Sequence, residues 1–356
     1  MLDLTDRTHC FYWQTDRKLS GQDYVRIFLH RHEISAEEIG NVLLKGITTI
    51  KPVSNIKVSE PDANVLKGNV NIVRKVDING TTYVVRMHPH GVKNGYFYTE
   101  KLTLDECLKK KLPVPKVLEI HEATDEADMD FMLMTMSPGE NMDVYLFTHK
   151  DTENELLFNC GAHMAHIHAI RTERYGFFDN AAAKTGALVG LHSTYHDFIH
   201  TGLDENVQRL ITFKILTDDQ ARKFKQLFDQ INFEPCDGPR LIQNDMADWN
   251  LLTDGKKITG ILDWDECHSG DPIADIACWS TFFSLARLRH FIEGYTSVTD
   301  LPGDYDDRFH FYRLRYTISK MALRCKRYEV DKNKFVAEKI EVGKQALIDE
   351  SHWFNL

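Results

Sequence analysis

The sequence predicts an α+β chain of two unequal lobes, a small antiparallel-sheet lobe followed by a larger, mainly helical one. Three observations predict it. Two pairs of apolar, β-branched segments between residues 49 and 137 each read as a hairpin; Ser137-Pro138-Gly139 then breaks the chain; beyond it the apolar spacing is helical, apart from one β-rich island at 240–264. The expected organisation is a helical N-terminal extension at 1–48, a sheet lobe at 49–137 and a helical lobe at 138–356.

In the extension, Ser20-Gly21-Gln22-Asp23 and Ser35-Ala36-Glu37-Glu38 resemble helix starts, because a hydroxyl can accept an orphan amide while an acid follows three residues on. Ile39, Val42, Leu43 and Ile47 continue the second as an apolar stripe, and the sequence leaves the role of residues 1–48 open, packing on the small lobe being the simplest one. The runs 70–76 and 81–87 flank Asn79-Gly80, a pair that readily takes the positive φ angles of a tight turn. A helix at 97–111 stops before Leu112-Pro113-Val114-Pro115, since proline removes a donor and biases its predecessor away from α. Runs 117–122 and 131–136 make the second hairpin. Helices are then expected at 152–170, 194–213, 217–231, 273–295, 308–329 and 332–349, with no internal repeat.

The 42% apolar and 27% charged shares are those of a soluble globular chain, not of a disordered or low-complexity one. A net charge of −10 speaks against a broadly basic nucleic-acid surface. No apolar run approaches the roughly 18–20 residues of a membrane helix, and the N-terminus lacks the apolar core of a signal peptide. The seven cysteines are odd in number and scattered, with no C-x-x-C pair, as expected of reduced thiols in a cytoplasm.

The chemistry concentrates in the island. Asp254-Gly255 between Leu251-Leu252 and Ile258 signals a hairpin, which would bring Asn250 and Asp263 together at its open end, with Asp245 on the loop leading in. Two carboxylates and an amide oxygen at a strand end suit Mg²⁺, which takes one or two carboxylates plus substrate phosphates. Residues 241–275 hold eight acids and two lysines, a concentration of negative charge that suits a metal and a cationic substrate. Asp271 and Asp275 read as structural, since Gly270-Asp271-Pro272 opens the next helix.

The spacing D-x4-N-x12-D, followed by Gly270-Asp271-Pro272 and then Asp275-Ile276-Ala277, resembles the aminoglycoside phosphotransferase family, small-molecule kinases with a protein-kinase-like fold. The likeness runs from about residue 60 to 295, supported by Tyr83 to Arg86, Glu100, Leu112 to Leu118 and Met132 to Gly139. It implies a bilobal protein-kinase-like fold and transfer of the γ-phosphate of ATP or GTP, with Mg²⁺, to a hydroxyl of an aminoglycoside-like substrate. It further implies Asp245 as the catalytic aspartate, Asn250 and Asp263 as metal ligands, and a phosphate-covering loop at Gly68, Asn69 and Asn71. Met134, Thr135 and Ser137 fall at the hinge, where backbone groups of Thr135 and Ser137 would meet the purine edge. Asp248, Trp249, Asp265 and Glu266 are the candidates for substrate contact. The expected partner is a small, cationic molecule, not nucleic acid or membrane.

Two features, at three positions, depart from the family. Its phosphate-pairing lysine falls at Arg86, with Glu100 as the expected ion-pair partner, and the usual His-Gly before the catalytic aspartate reads Gln243-Asn244. Gln243 has the donors and acceptor to brace the loop; Asn244 is bulkier than glycine. Two alternatives therefore stand beside the antibiotic kinase: a metabolic kinase for an amino alcohol or sugar, and a nucleotide-binding pseudokinase. His163, His166 and His168 share a helix, but without an evident acidic partner they read as a packed helix face and not as a zinc site.

Overall fold

The computed structural model describes residues 2–23, 34–60, 71–88, 92–93, 96–123, 129–235, 237–332 and 334–356. The small lobe is built on a five-stranded antiparallel sheet in the order Ile56–Val58, Ile72–Ile78, Thr81–Met87, Phe131–Thr135, Val117–His121. Its central hairpin forms as the Asn-Gly pair dictates. Ile78 pairs with Thr81, and Asn79 (φ 54°) and Gly80 (φ 87°) are both left-handed, so the two-residue turn matches the strand twist. Inward positions Ile72, Val76 and Ile78 are buried while Val73 and Lys75 face out.

The helix Ala36–Gly46 starts at Ser35, whose hydroxyl accepts the Glu38 N–H at 3.1 Å. It lays Ile39, Leu43 and the following Ile47 on one sheet face against Ile72, Val76, Val85 and Phe131. On the other face the helix Phe97–Lys109 contributes Leu104 and Cys107 to a core shared with Val117, Met132 and Met134, which continues into the large lobe. That lobe is mainly helical and carries two small antiparallel sheets. One runs Gly190–His192, Tyr175–Phe178, His268–Gly270, Arg240–Ile242; the other runs Ile258–Ile261, Leu251–Thr253, Glu140–Asn141. The whole is a bilobal, kinase-like α+β fold.

Three expectations change. The helix expected at 194–213 is two, Tyr195–His200 and Leu203–Thr212, because Gly202 turns left-handed (φ 67°) between them. The one expected at 273–295 is also two, Pro272–Ser280 and Leu288–Thr296, separated by an aromatic stretch and the short turn Leu285–Arg287. The N-terminal extension does not act as one unit on the small lobe. Leu4, Phe11, Tyr12, Trp13 and Leu19 join the large core, and among the described residues of the extension it is the part around the Ala36–Gly46 helix that sits on the sheet. Among the described residues no helix is long and apolar enough to cross a membrane.

One helix contact positions the site. Glu153–His168 packs against Leu288–Thr296 so closely that a Cβ on Gly161 would lie 1.9 Å from the Phe291 carbonyl, and one on Gly294 1.9 Å from the Phe158 carbonyl. Glycine at both positions lets the backbones meet, which sets His168 beside Tyr295.

Candidate active site

The strand Arg240–Ile242 delivers the loop that carries Asp245, and a buried carboxylate shapes that loop. Asp275, in the first turn of Pro272–Ser280, accepts the N–H of Gln243 through Oδ2 (2.8 Å) and that of Asn244 through Oδ1 (2.9 Å). His168 Nε2 lies 3.1 Å from the same Oδ2, and its Nδ1 3.0 Å from the Tyr295 hydroxyl. So His168, one of the three helix histidines, is a brace with an acidic partner after all. Gln243 ties the loop to the far arm of the hairpin, donating to the Asp263 carbonyl at 2.9 Å while its Oε1 accepts the Asp245 N–H at 2.8 Å. Asn244 takes φ +69°, a conformation easy for glycine and tolerated by asparagine.

The hairpin closes as expected. Leu251 pairs with Ile261, and the Leu262 N–H donates to the Asn250 carbonyl at 2.8 Å, so Asn250 and Asp263 flank the open end. Asn250 turns Nδ2 onto the Asp245 carbonyl and carboxylate, both at 2.8 Å, which leaves its amide oxygen as the group a cation would meet. Asp263 is itself left-handed (φ +57°). From the sheet lobe, Arg86 makes a buried ion pair with Glu100 and reaches Asp263 at 3.3 Å and Asp265 at 3.6 Å.

Electrostatically the site is short of positive charge. Burial first, then the neighbouring Asp263, push the Asp245 carboxyl well above the usual range, against pulls from Lys320 and Asn250. Burial and Asp265 push Asp263 up to about 7, although Arg86 opposes them. Glu100 is pushed up to about 8 by burial, with Arg86 the main opposing influence. Burial disfavours the Arg86 charge, yet Glu100, Asp263 and Asp265 together hold it protonated. Two facing carboxylates and an amide oxygen, all hard donors crowded by like charge, fit a divalent cation of the Mg²⁺ type.

The remaining expected residues fall into four groups. Trp249 stands 45% exposed, edge-on to Phe282 at 5.4 Å, and is available to an acceptor; Trp264, by contrast, is core, its Nε1 on the Ile261 carbonyl. The expected acidic contacts are turned inward. Asp248 is paired with Arg287 at 2.8 Å, Asp265 faces Arg86, and both Glu266 oxygens accept backbone N–H groups, from Trp13 and Gln14, at 3.1 Å. Glu266 is therefore turned away from an acceptor: its side chain is buried and both carboxylate oxygens are engaged inside the protein. At the hinge, Met134 is buried in the core and the Thr135 N–H is already bonded to the Lys116 carbonyl, so a purine edge cannot take that N–H; Ser137 lies beyond the strand pairing. Asn71 is buried, its Oδ1 without a partner among the described residues, while Gly68 and Asn69 lie outside the described residues.

Two features went unread in the sequence. Lys320, buried on the long helix Tyr305–Asp331, donates to the Thr281 hydroxyl and the Cys278 carbonyl, and stands 3.2 Å over the Phe282 ring. The segment 4–19 reaches the turn after Asp263 through Arg7 and Trp13. Phe11-Tyr12-Trp13 between two arginines was a usable signal, since three adjacent aromatics are rarely left in solvent.

A family model described as APH, phosphotransferase enzyme family, matches residues 65–308. Hygromycin-B 4-O-kinase of Escherichia coli is 23% identical over 253 residues, 69% of this chain and 69% of that protein. Among solved structures, a thermostable aminoglycoside phosphotransferase APH(4)-Ia in ternary complex with AMP-PNP and hygromycin B superposes with a TM-score of 0.61 at 19% identity, covering 86% of this chain and 97% of the other. The GDP complex of an aminoglycoside 2′-phosphotransferase-IIIa variant gives 0.61 at 16% identity, covering 88% and 98%.

Proposed function

The chain belongs to the APH phosphotransferase enzyme family, and from that premise we propose that it moves the γ-phosphate of a nucleoside triphosphate to a hydroxyl of a small-molecule acceptor, an aminoglycoside-like amino sugar being the first to test. The observation that carries the reading is the convergence of Asp245, Asn250 and Asp263 at the open end of one hairpin, with Arg86 arriving from the other lobe. A family whose chemistry is phosphoryl transfer needs little more from its protein than position and charge, because the transition state is loose.

Asp245 orients the acceptor hydroxyl and takes its proton at the carboxylate, held in place by the Gln243 and Asn250 hydrogen bonds. Asn250, through its amide oxygen, and Asp263 would hold Mg²⁺, which when bound neutralises phosphate charge and fixes the phosphates. Arg86 adds positive charge beside Asp263. Ser137 offers the hinge N–H to the nucleotide base, and Asn71, with Gly68 and Asn69, serves the phosphates. Trp249 gives the acceptor a flat apolar face. The relative that acts on hygromycin B supports an aminoglycoside as the first acceptor. The inward pairing of Asp248 and Glu266 leaves less exposed acid for a polycation than the composition suggests.

The test is mass spectrometry of hygromycin B and other aminoglycosides incubated with the protein, Mg²⁺ and either ATP or GTP. A gain of one phosphate that disappears with Asp245→Asn is the expected result. Phosphorylation surviving that substitution would remove Asp245 from its role, and no product with any aminoglycoside would leave the two alternatives, a metabolic kinase for an amino alcohol or sugar and a nucleotide-binding pseudokinase.

A further inference from the structure

Upstream of the region the family model covers, the chain makes direct contact with the turn that follows Asp263. The Arg7 guanidinium donates to the Asp265 carbonyl and is itself fixed in direction, lying 3.6 Å from the Tyr96 ring centre and 4.1 Å from that of Trp13. One residue further along the turn, the Glu266 carboxylate accepts the Trp13 and Gln14 N–H groups at 3.1 Å each. The segment is anchored independently of the turn. Asp16 accepts the Phe11 and Tyr12 N–H groups at 2.9 and 3.0 Å, Thr15 donates to the Ser319 carbonyl at 2.8 Å, and the Arg315 guanidinium lies 3.8 Å from the Phe11 ring centre. Ser319 and Arg315 are on the large-lobe helix Tyr305–Asp331, and the Asp16 hydrogen bonds fold the segment on itself, so the segment links that helix to the turn.

The turn needs such a link. Asp263 is a non-glycine residue at φ +57°, a left-handed conformation that persists only when its surroundings hold it. Gln243 fixes its carbonyl and Arg86 meets its carboxylate. Arg7 and the Trp13–Gln14 amides hold the next residues of the turn. We propose that residues 4–19 are a positioning element for the Asp263–Glu266 turn, with Arg7 and Glu266 as the positioning residues through which they set the metal-facing carboxylate of Asp263. This rests on the reading of Asp263 as a metal ligand given above. Neither residue touches substrate or metal; each acts through the backbone of the turn, as the outer partners of metal ligands generally do.

The experiment is Mn²⁺ binding by the full chain in the presence of AMP-PNP, followed by electron paramagnetic resonance, with thermal unfolding measured on the same samples. Glu266→Gln keeps the volume but opposes a donor to one of the two N–H groups. It is expected to weaken Mn²⁺ binding about tenfold or more. Arg7→Lys, which keeps the charge and loses the stacked planar fork, is expected to act in the same direction and serves where Glu266→Gln does not fold. Glu350→Gln is the control: it breaks a buried pairing with Arg313 and His310 between the last two helices, and should lower the unfolding temperature without altering Mn²⁺ affinity. Wild-type Mn²⁺ affinity in folded Glu266→Gln and Arg7→Lys would overturn the proposal, whatever their unfolding temperatures. A separate arm tests the premise, since Asp263→Asn must abolish Mn²⁺ binding by the protein and leave the free-ion signal undiminished. If wild type binds no Mn²⁺, or Asp263→Asn binds it normally, the metal-site reading itself falls.

Discussion

Asp275 holds Asn244 at 2.9 Å and Gln243 at 2.8 Å with its two carboxylate oxygens, so a single side chain fixes the backbone immediately before Asp245. Read as a helix-start acid, Asp275 is structural, yet what it structures is the loop that carries Asp245. Asp275→Asn leaves one oxygen and sets an amide donor against the other N–H. Hydrogen bonds to a buried charged group are worth about 1.5–3 kcal/mol each, so stability should fall by roughly 3 kcal/mol in urea unfolding. The loop's loss of register should also lower kcat by at least tenfold. A folded Asp275→Asn enzyme with wild-type kcat would separate the brace from the chemistry.

Asn244 is strained and poorly satisfied at once. It sits at φ +69°, fully buried, and neither Oδ1 nor Nδ2 has a hydrogen-bond partner among the described residues. Asn244→Gly removes both liabilities, against a small loss from the freer unfolded chain. The variant should be more stable by about 1 kcal/mol, visible as a higher urea midpoint. A lower midpoint would mean that the amide has an internal partner, such as a buried water.

Arg86 serves two lobes with two nitrogens, Nη1 on Glu100 and Nη2 on Asp263. A lysine ammonium is a single point and cannot meet both. Arg86→Lys should therefore fold but lose roughly tenfold in kcat/KM for the nucleotide, about 1.4 kcal/mol. Arg86→Met goes further, because Glu100 is then buried without its partner, and should cost about 3–5 kcal/mol of stability. Equal kinetics for Arg86→Lys and wild type would show that the fork is dispensable.

What was legible in the sequence is what local chemistry decides. Asn79-Gly80 fixed a hairpin because both φ angles are positive there, Ser35 named a helix start, and the Asp245, Asn250 and Asp263 spacing brings the three to the open end of one hairpin. What was not legible depends on partners far along the chain. Counting acids between 241 and 275 predicts a negative surface, but Asp248 meets Arg287 and Glu266 meets Trp13, more than 250 residues before it in sequence. Charge counts carry no information about such pairings. Gly202 illustrates the same limit in the backbone, since nothing in the periodicity of 194–213 marks the one glycine that turns left-handed.

Stability should fall in mild acid through His268, which is fully buried between the Phe177 and Phe198 rings. Burial pushes its pKa down from 6.5 to about 4, although Nδ1 lies 3.3 Å from the Glu266 carbonyl. Between those two values the unfolded chain binds a proton that the folded one refuses, so stability rises with pH across that window. The contribution is therefore complete above about pH 6.5 and is lost progressively as the pH falls towards 4, with a slope of up to about 1.4 kcal/mol per pH unit. His268→Gln keeps a donor for the Glu266 carbonyl but has no proton to gain. Unfolding free energies measured in urea from pH 7 to pH 4 should fall less steeply for His268→Gln than for wild type. Parallel curves would mean that His268 is protonated in the folded protein and that the acid sensitivity originates elsewhere, with His163, whose pKa burial also lowers to about 4, the next residue to replace.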